Sequence, residues 1–585
     1  MLPRIPTCSR LSPRAAFTTI RSLRQPAHDL DDLPPSENDF IVSILRANPS
    51  LRDTRSYLAS FGPRPKPPAA PVRLTPAADG LATKPSIPVV LEDAKPSPVV
   101  SSILDPVIKR TALVKMQGPF TDVQLESISR GLVYLEKLGL VSVIVVESDA
   151  VPRGDHDERA FLIEETMRIV TTLEKQGARA RPVLGSVVRL GPQPEEDDNV
   201  VDPPEAHTAP SDFIPIRSAL RSGEIPVIPP FALDSFCRSV RVDADDVLGA
   251  LARGMTQAGS TSDDVDLTPM RLMIINREGG VPSYARSGYP HLLINLTSEY
   301  SHIHETFHHP WRHSNPTALS NLALARTCLS YMPPTSSAIM VSHRSPSSLI
   351  ANLITNKPAL SSSLPHALLQ GNRRLTPHTP TLLRRGLPIR VIRSLSDIDR
   401  PKLNALLEQS FGRTLDEPAF YQRLETALDF VIVAGDYVGA AIVTNEPSHS
   451  SAPAISYLDK FAVLPSHQGD GTVDFLWVAL HDESYGLGHP FSANPNGGKG
   501  GVGEGHDLVW RSRTDNPVNK WYFERSSGHV RLGPWVLFWC DAEKRLKVEQ
   551  AKRANAGVSF VEDWEEGRLE MWSDVVEKIP SSWKK

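Results

Sequence analysis

Cysteine is scarce in this sequence, and the few cysteines stand far apart. Among 585 residues there are four, and no two of them form a Cys-x-x-Cys pair: Cys8, Cys237, Cys328 and Cys540. A zinc site built on cysteines and a dense disulfide framework are therefore excluded. A reducing compartment is the simplest interpretation.

Long apolar runs and a surplus of basic residues are also missing. No run of about 18 consecutive apolar residues occurs, so we expect no membrane-spanning helix. The 63 Lys and Arg residues are balanced by 67 Asp and Glu residues, and the net charge is -4. Such a chain has no general excess of cations with which to displace counterions, so we expect neither nucleic acid nor a membrane as partner.

The first residues have the composition of a targeting segment. Residues 1–28 hold five arginines among serines, threonines and scattered leucines, and the first acidic residue is Asp29. This composition is typical of a mitochondrial transit peptide, and a disordered basic tail is the alternative interpretation. We then expect a short helical segment over 29–62 and a proline-rich linker over 63–100.

Strands and helices alternate through residues 101–384. Thr111–Lys115 and Leu140–Val146 are apolar runs of strand length. Between them, Thr121 can cap a helix whose apolar residues recur at three- and four-residue spacing. Nearly continuous apolar strands are typical of a sheet that is covered on both faces. The alternation therefore predicts an open, mostly parallel αβα sheet.

Residues 385–560 show a different order of elements. Helices are predicted over Asp397–Phe411 and Glu417–Leu428, and three apolar strands then follow in succession. These strands are Phe430–Gly435, Ala440–Asn445 and Ile455–Val463. The order predicts a second domain with a mixed, mostly antiparallel sheet flanked by helices, so the fold class is α/β followed by α+β. We assign residues 561–585 to a tail.

A glycine-containing turn follows the last of those strands. The strand ends at Val463, and a helix begins near Gly471. The N–H groups at a helix N-terminus can hold a diphosphate, and the helix dipole favours its charge. Glycine lets the main chain approach such a ligand closely. We therefore predict a cofactor-binding turn made by Val463, Gln468, Gly469, Asp470, Gly471 and Thr472.

The turn and three sequence blocks resemble known families. Gly469 and Gly471 match the glycines of the coenzyme A turn of the GNAT acetyltransferase superfamily, Arg/Gln-x-x-Gly-x-Gly/Ala, while Ser466 stands at its first position. The blocks 410–416, 457–461 and 508–525 are similar to the N-acetylglutamate synthase family of the vertebrate and fungal type. The resemblance implies a GNAT-type second domain that transfers the acetyl group of acetyl-CoA to the amine of L-glutamate, the first step of arginine biosynthesis.

The same blocks contain cations suited to a dicarboxylate. Arg511 and Arg513 are two residues apart on a predicted strand, so both project from one face. Arginine can pair with a carboxylate in bidentate fashion, whereas lysine supplies a point charge. The resemblance implies that Arg413, Lys460 and the stretch from Arg513 to Asn516 bind glutamate, and we add Arg511 to this candidate set. Ordinary solvated ion pairs are the alternative interpretation, for Arg511 above all.

The stretch from Asn516 to Phe523 is similar to a second GNAT element, Asn-x-x-Ala-x-x-Phe-Tyr, with its two aromatic residues in inverted order. The superfamily often places a tyrosine here, near the thioester sulfur. We therefore expect the amine of glutamate to attack the acetyl carbonyl directly, without an acyl-enzyme. Tyr522 would hydrogen-bond or protonate the leaving thiolate as the catalytic residue. A plain core aromatic is the alternative interpretation.

The first domain resembles the amino-acid-kinase fold. Its first strand and turn keep Lys115 and Gly118 of the kinase pattern Lys-x-Gly-Gly. Gln117 replaces one glycine, and Pro119 removes an N–H donor, so a working kinase is disfavoured. The resemblance implies a regulatory domain that binds L-arginine as a feedback inhibitor. It also implies a homo-oligomer in the mitochondrial matrix and a complex with acetylglutamate kinase.

Two functions of different classes stay open from the sequence. The first is an arginine-regulated enzyme of the synthase family. The second is a regulatory partner of acetylglutamate kinase that senses arginine with weak or no transferase activity. The glycines of the turn and the cations of the second domain favour the enzyme.

A zinc-protease pattern, His-Glu-x-x-His, runs from His304 to His308. Pro310 follows two residues later and should end the helix on which both histidines would share a face. His313 is one residue short of the spacing for a third ligand. We therefore predict no metal site.

Overall fold

A computed structural model gives the architecture of most of the chain after residue 108. The residues described are 109–150, 153–154, 157–191, 205–259, 266–284, 286, 288–345, 348–349, 352, 355–364, 375–447, 455–481, 508–540 and 568–584. The predicted transit segment, the helical segment and the proline-rich linker lie outside the described residues.

The first domain contains twelve described strands and seven described helices. In chain order these are β1 Arg110–Gly118, α1 Asp122–Lys137, β2 Leu140–Ser148, α2 Glu158–Lys175, β3 Ala180–Pro182, β4 Val188–Leu190, β5 Ala206–His207, α3 Ile214–Arg221, β6 Ile225–Ile228, β7 Phe231–Leu233, β8 Ser239–Arg241, α4 Ala244–Gly259, β9 Pro269–Asn276, β10 Leu293–Asn295, α5 Leu296–Thr306, α6 Trp311–Ser314, α7 Ala318–Tyr331, β11 Ser337–Ser342 and β12 Thr381–Arg384.

Eight of these strands form one sheet in the order β10-β12-β11-β9-β1-β2-β6-β3. Every neighbouring pair in it is parallel except β11 with β12. A smaller sheet has the order β5-β4-β7-β8. The prediction of an open, mostly parallel sheet is therefore confirmed.

The residues of the first β–α unit explain why it forms. The interior of β1 and β2 is apolar and buried, which matches strands covered on both faces. The Thr121 side chain accepts from the Gln124 N–H, and Gln124 caps the Thr121 N–H in return. The apolar face of α1 then packs on the sheet through buried side chains that include Leu125, Ile128 and Leu132.

The second domain contains seven described strands and five described helices. They are β13 Ile389–Ile392, α8 Arg400–Phe411, α9 Glu417–Ala427, β14 Leu428–Ala434, β15 Gly439–Glu446, β16 Ile455–Val463, α10 Thr472–Leu480, β17 Leu508–Arg513, α11 Asn519–Phe523, β18 Gly528–Leu532, β19 Trp535–Cys540 and α12 Arg568–Lys578.

All seven strands form one sheet in the order β13-β14-β15-β16-β17-β19-β18. Only β16 and β17 run parallel, and the other neighbours are antiparallel. The predicted mixed, mostly antiparallel sheet with flanking helices is therefore confirmed.

Two segments differ in detail from the expectation. The helix expected from Asp397 begins only at Arg400, because the Asp399 side chain caps it by accepting from the Lys402 N–H. The stretch assigned to a tail includes α12, whose Trp572 and Val576 are buried against Val509 and Trp539 of the sheet. This helix was not expected from the sequence.

The two domains meet beside α10. Leu293 of β10 and Leu382 of β12 form a small apolar cluster with Phe475 of α10, and Ile389 of β13 packs against it. The edge of the first sheet therefore lies directly against the helix that follows the glycine turn. Among the described residues, no helix combines the length and apolar character that crossing a membrane requires.

Candidate active site

The glycine turn connects the end of β16 to the start of α10. Gly469 has φ 103° and Gly471 has φ 98°, so both lie in the left-handed region that favours glycine. A side chain added at Gly471 would also lie 3.3 Å from Leu293 Cδ2. Both predicted glycine positions are thus conformationally required.

The polar contacts of the turn stay largely within it. Asp470 Oδ1 accepts from the Thr472 N–H at 2.9 Å, and Asp470 Oδ2 lies 2.9 Å from His467 Nδ1. Gln468 Nε2 donates to the Val463 carbonyl at 3.4 Å. The structure therefore brings all the predicted cofactor-binding residues together at the N-terminus of α10. Because the first N–H groups of a helix have no partner inside the helix, this end of α10 can receive an anion.

The parallel strands β16 and β17 separate beside this turn. They pair only at Ser456 with Leu508 and at Tyr457 with Val509. Beyond these pairs β16 continues to Val463 and β17 to Arg513. The glycine turn follows β16, and α11 follows shortly after β17. The turn and the helix that carries Tyr522 therefore continue from the two strands that diverge.

Tyr522 lies on the inner face of α11. Its side chain is 8% exposed, whereas the next residue, Phe523, is 44% exposed. Its ring lies 5.3 Å from the Trp510 ring and 5.5 Å from the Phe538 ring, measured between centroids. Burial raises the pKa of the Tyr522 phenol, so its hydroxyl stays protonated at neutral pH and can donate.

Arg513 and Arg413 lie near one carboxylate. Arg513 donates from Nε and from a terminal nitrogen to the two oxygens of Asp515, each at 2.9 Å. These hydrogen bonds, together with the charges of Arg513 and Arg413, hold the pKa of Asp515 below its ordinary value. The pair is solvent-exposed, so a carboxylate from solution can reach these cations.

Lys460 belongs to a buried cluster of charges on β16. Its Nζ lies 2.7 Å from Asp459 Oδ2 and donates to Ser582 Oγ at 3.1 Å. Arg423 binds the other oxygen of Asp459 at 2.7 Å and also contacts Glu446. Burial alone would raise the pKa of Asp459, but the cations Lys460 and Arg423 lower it overall. Asp459 and Arg423 were not expected from the sequence, although Asp459 is adjacent to the predicted Lys460.

Arg511 makes its hydrogen bonds elsewhere. Its two terminal nitrogens donate to the main-chain carbonyls of Val576 and Ile579, at 2.6 and 2.8 Å. Its guanidinium also lies over the Trp535 ring. A cation at these carbonyls satisfies the end of α12 and complements its dipole. Arg511 and Arg513 leave the same strand, but the structure does not bring their guanidinium groups to one carboxylate.

The segment after α12 borders the predicted glutamate residues. The Asp416 N–H donates to the Ser582 carbonyl, and the Lys584 N–H donates to the Thr414 carbonyl, each at 3.0 Å. Trp583 packs against Phe411, 5.1 Å between ring centroids. The chain from Ser582 onward thus lies beside Arg413 and Lys460, an arrangement that no motif in the sequence indicated.

Asn516 shapes the turn between β17 and α11. Its side-chain amide donates to Ser512 Oγ at 2.9 Å, and its side-chain oxygen accepts from the Val518 N–H at 3.1 Å. Asn519 helps by donating to the Arg513 carbonyl at 2.7 Å. These contacts fix the direction in which α11 leaves the strand, and with it the place of Tyr522.

Lys115 of the first domain is fully engaged. Its Nζ lies 2.9 Å from Glu147, 2.5 Å from Asp245 and 2.8 Å from the side-chain oxygen of Asn321. An ammonium group has three N–H donors, and three acceptors surround this one. Gln117 extends the cluster by accepting from Asn321 at 2.9 Å. The lysine that a kinase would direct at a phosphate is therefore satisfied by protein groups.

The zinc-protease pattern falls at the end of a helix. Helix α5 ends at Thr306, so His304 is helical and His308 lies beyond its last turn. The two histidines contact different rings, Tyr300 and Trp311 respectively. In the described part of the chain, no group of three or more His, Cys, Asp or Glu side chains is arranged to hold a metal ion.

Comparison with known proteins places these features in a family. A sequence model for the N-acetyltransferase domain of N-acetylglutamate synthase matches residues 390–487 and 504–558. The mitochondrial amino-acid acetyltransferase of Coprinopsis cinerea is 68% identical over 596 aligned residues, which cover 98% of this chain and 96% of the relative. Its counterpart from Laccaria bicolor is 71% identical over 558 residues, with 93% and 99% covered.

A solved structure of N-acetylglutamate synthase from Neisseria gonorrhoeae, complexed with coenzyme A and N-acetyl-glutamate, is also similar. It matches with a TM-score of 0.42 and 14% identity, over 74% of this chain and 95% of that one.

The antiparallel sheet, the glycine turn before α10 and the matching sequence model define an acetyl-CoA-dependent N-acetyltransferase. The two-domain chain is therefore an enzyme of the acyltransferase class. More particularly, it belongs to the family of mitochondrial amino-acid acetyltransferases, because two members match nearly its whole length at 68% and 71% identity.

Proposed function

We propose that the chain is an N-acetylglutamate synthase, which transfers the acetyl group of acetyl-CoA to the α-amine of L-glutamate. The observation that supports this most is the match of residues 390–487 and 504–558 to the acetyltransferase domain of that enzyme. This range contains the glycine turn, Lys460, Arg513 and Tyr522. The reaction is the first step of arginine biosynthesis.

The glycine turn is proposed to hold the diphosphate of acetyl-CoA. The positive φ angles of Gly469 and Gly471 form a main-chain cradle without side chains, and α10 begins immediately after it. The diphosphate would accept from N–H groups at this helix end and gain from the helix dipole. The pantetheine arm would then pass between the diverging strands β16 and β17 and lead the thioester toward Tyr522.

The glutamate site is proposed around Arg413, Lys460, Arg513 and Asn516. In the structure Arg513 donates two hydrogen bonds to the carboxylate of Asp515, and Arg413 lies nearby. A substrate carboxylate would bind to Arg513 in the same bidentate way. Lys460 would supply the charge for the second carboxylate by exchanging its hydrogen bond to Ser582, which lies in the bordering segment, for one to the substrate. In this proposal Arg511 supports the site indirectly. It binds carbonyls at the end of α12, and the chain then continues to Ser582, which borders the site.

The proposed chemistry is direct transfer. The nitrogen of glutamate forms a bond to the acetyl carbon, the bond from that carbon to sulfur breaks, and the sulfur leaves as thiolate. Tyr522 donates a hydrogen bond to that sulfur and thereby stabilises the charge that develops. Because its raised pKa makes it a weak acid, hydrogen bonding contributes more than complete proton transfer. The proton that the amine loses on attack passes to water, and the leaving thiolate is free to take up a proton from solvent.

The first domain is proposed to be regulatory and to bind L-arginine as a feedback inhibitor. The contacts of Lys115 support a role other than phosphoryl transfer, because its ammonium group already binds Glu147, Asp245 and Asn321. We further propose that the enzyme works in the mitochondrial matrix as a homo-oligomer and forms a complex with acetylglutamate kinase. The mitochondrial names of its relatives support the compartment.

Acceptor specificity tests the proposed glutamate site. Arg413→Gln and Arg513→Gln should each raise the KM for glutamate by about tenfold or more, since each removes a charge-assisted hydrogen bond to a carboxylate. The KM for acetyl-CoA should stay within a factor of about two. Arg390→Gln is the matched control, because Arg390 is an exposed arginine of β13. An unchanged KM for glutamate in both variants would refute this site.

A further inference from the structure

Two serines of the first domain contact the first turn of α10. Ser361 and Ser363 follow β11 in the chain, and their hydroxyl groups donate to the same oxygen of Asp474, at 2.9 and 2.5 Å. Asp474 is the third residue of α10. A contact between the domains therefore reaches the helix whose N-terminus is proposed to bind the diphosphate.

Arg525 binds the same two hydroxyl groups from the other side. Its Nε donates to Ser363 Oγ at 2.7 Å, and a terminal nitrogen donates to Ser361 Oγ at 2.9 Å. The Arg525 side chain is 3% exposed, and its guanidinium carbon lies 4.0 Å from the centroid of the Trp521 ring. Each serine thus accepts from a cation and donates to an anion, and such a chain of polarised bonds strengthens its members.

The charge of Asp474 opposes the proposed ligand. A carboxylate in the first turn of a helix is favourable for the helix itself. A diphosphate at the N-terminus of the same helix, however, carries a like charge, and screening by water is weak where Asp474 is partly buried. By donating to its Oδ1, the two serine hydroxyls hold the Asp474 carboxylate on the side of the first domain and of Arg525. Burial lowers the pKa of Arg525, and the charge of Asp474 counteracts that effect.

We infer that Ser361 and Ser363 are positioning residues for acetyl-CoA, which act by holding the Asp474 carboxylate toward the first domain. The inference rests on the proposed diphosphate site at the glycine turn. It gives the first domain a direct part in cofactor binding, in addition to its proposed regulatory role. The chemistry itself stays with Tyr522 and the substrates, so the effect falls on binding and not on turnover.

The test is binding of coenzyme A to the full chain, measured by calorimetry, together with steady-state kinetics. The double variant Ser361→Ala/Ser363→Ala should bind coenzyme A about tenfold more weakly, because two hydrogen bonds to a charged group are lost. Its kcat at saturating acetyl-CoA should stay within a factor of about two. Ser362→Ala is the matched control, since this neighbouring serine is buried but its hydroxyl is not part of the Asp474 contact.

A rescue experiment distinguishes an effect of the Asp474 charge from an effect of side-chain packing. Adding Asp474→Asn to the double variant should restore most of the affinity, because the freed carboxylate is the cause of the loss. Asp474→Asn in the otherwise unchanged chain should bind at least as tightly as the wild type and serves if the double variant does not fold. An unchanged affinity in the double variant, or a loss that Asp474→Asn does not restore, overturns the inference. A wild-type chain that binds no coenzyme A would instead refute the proposed function.

Discussion

Replacing Gly471 with alanine tests the proposed cofactor turn through backbone conformation alone. Gly471 has φ 98° and ψ -8°, where an L-residue is strained by about 1–2 kcal/mol. The added methyl group would also lie 3.3 Å from Leu293 Cδ2 and 3.5 Å from the Phe475 ring. If the turn relaxes to relieve this strain, coenzyme A must restore it on binding, so its Kd should rise by about 5- to 30-fold.

The assay is calorimetric binding of coenzyme A to the Gly471→Ala variant, with thermal unfolding measured in parallel. Gly177→Ala is the control, because Gly177 has φ 89° and no described atom lies within 4 Å of an added methyl group. It carries the same kind of strain far from the turn, so it should lose stability without losing affinity. Equal affinities in the wild type and Gly471→Ala would refute the reasoning, because the turn would then not require a glycine to hold its ligand.

Three further predictions concern single side chains of the second domain. Tyr522→Phe should lower kcat by about 100-fold, the contribution expected of one well-placed donor, with little change in either KM, and stopped-flow thiol release would detect it. Asp459 should stabilise the fold above its unfolded pKa of about 3.9, and this stability is lost as pH falls through its lower folded pKa. Urea unfolding between about pH 2 and 5 should therefore show a steeper loss in the wild type than in Asp459→Asn. Arg511→Gln should lower the melting temperature by releasing the carbonyls of α12, and a variant with full stability but a raised KM for glutamate would show direct substrate binding instead.

Local patterns were sufficient for β1, β2 and the helix between them. The apolar runs predicted β1 and β2, and the capping residue Thr121 predicted the start of α1. The structure confirms all three. The glycine turn was also visible, because Gly469 and Gly471 mark backbone conformations that other residues avoid. Helix boundaries differed from the prediction where a side chain caps the helix, as Asp399 does at the start of α8.

Contacts between distant parts of the chain could not be predicted from the sequence. Arg511 binds carbonyls of Val576 and Ile579, more than sixty positions away, and nothing near Arg511 indicates this. Helix α12 has buried apolar residues, but its packing partners come from four different strands. The serines that contact Asp474 belong to the other domain, so only the folded chain shows how the first domain reaches the proposed cofactor site.

Thiol release from acetyl-CoA by the purified chain lacking residues 1–28 tests the central claim most directly. Release should require L-glutamate, should be much slower with L-aspartate or L-glutamine, and should fall when L-arginine is added. Glutamate-dependent release that arginine does not inhibit would support the transferase activity but contradict the proposed regulatory role of the first domain. A folded chain that binds coenzyme A but releases no thiol with glutamate would contradict the proposed synthase.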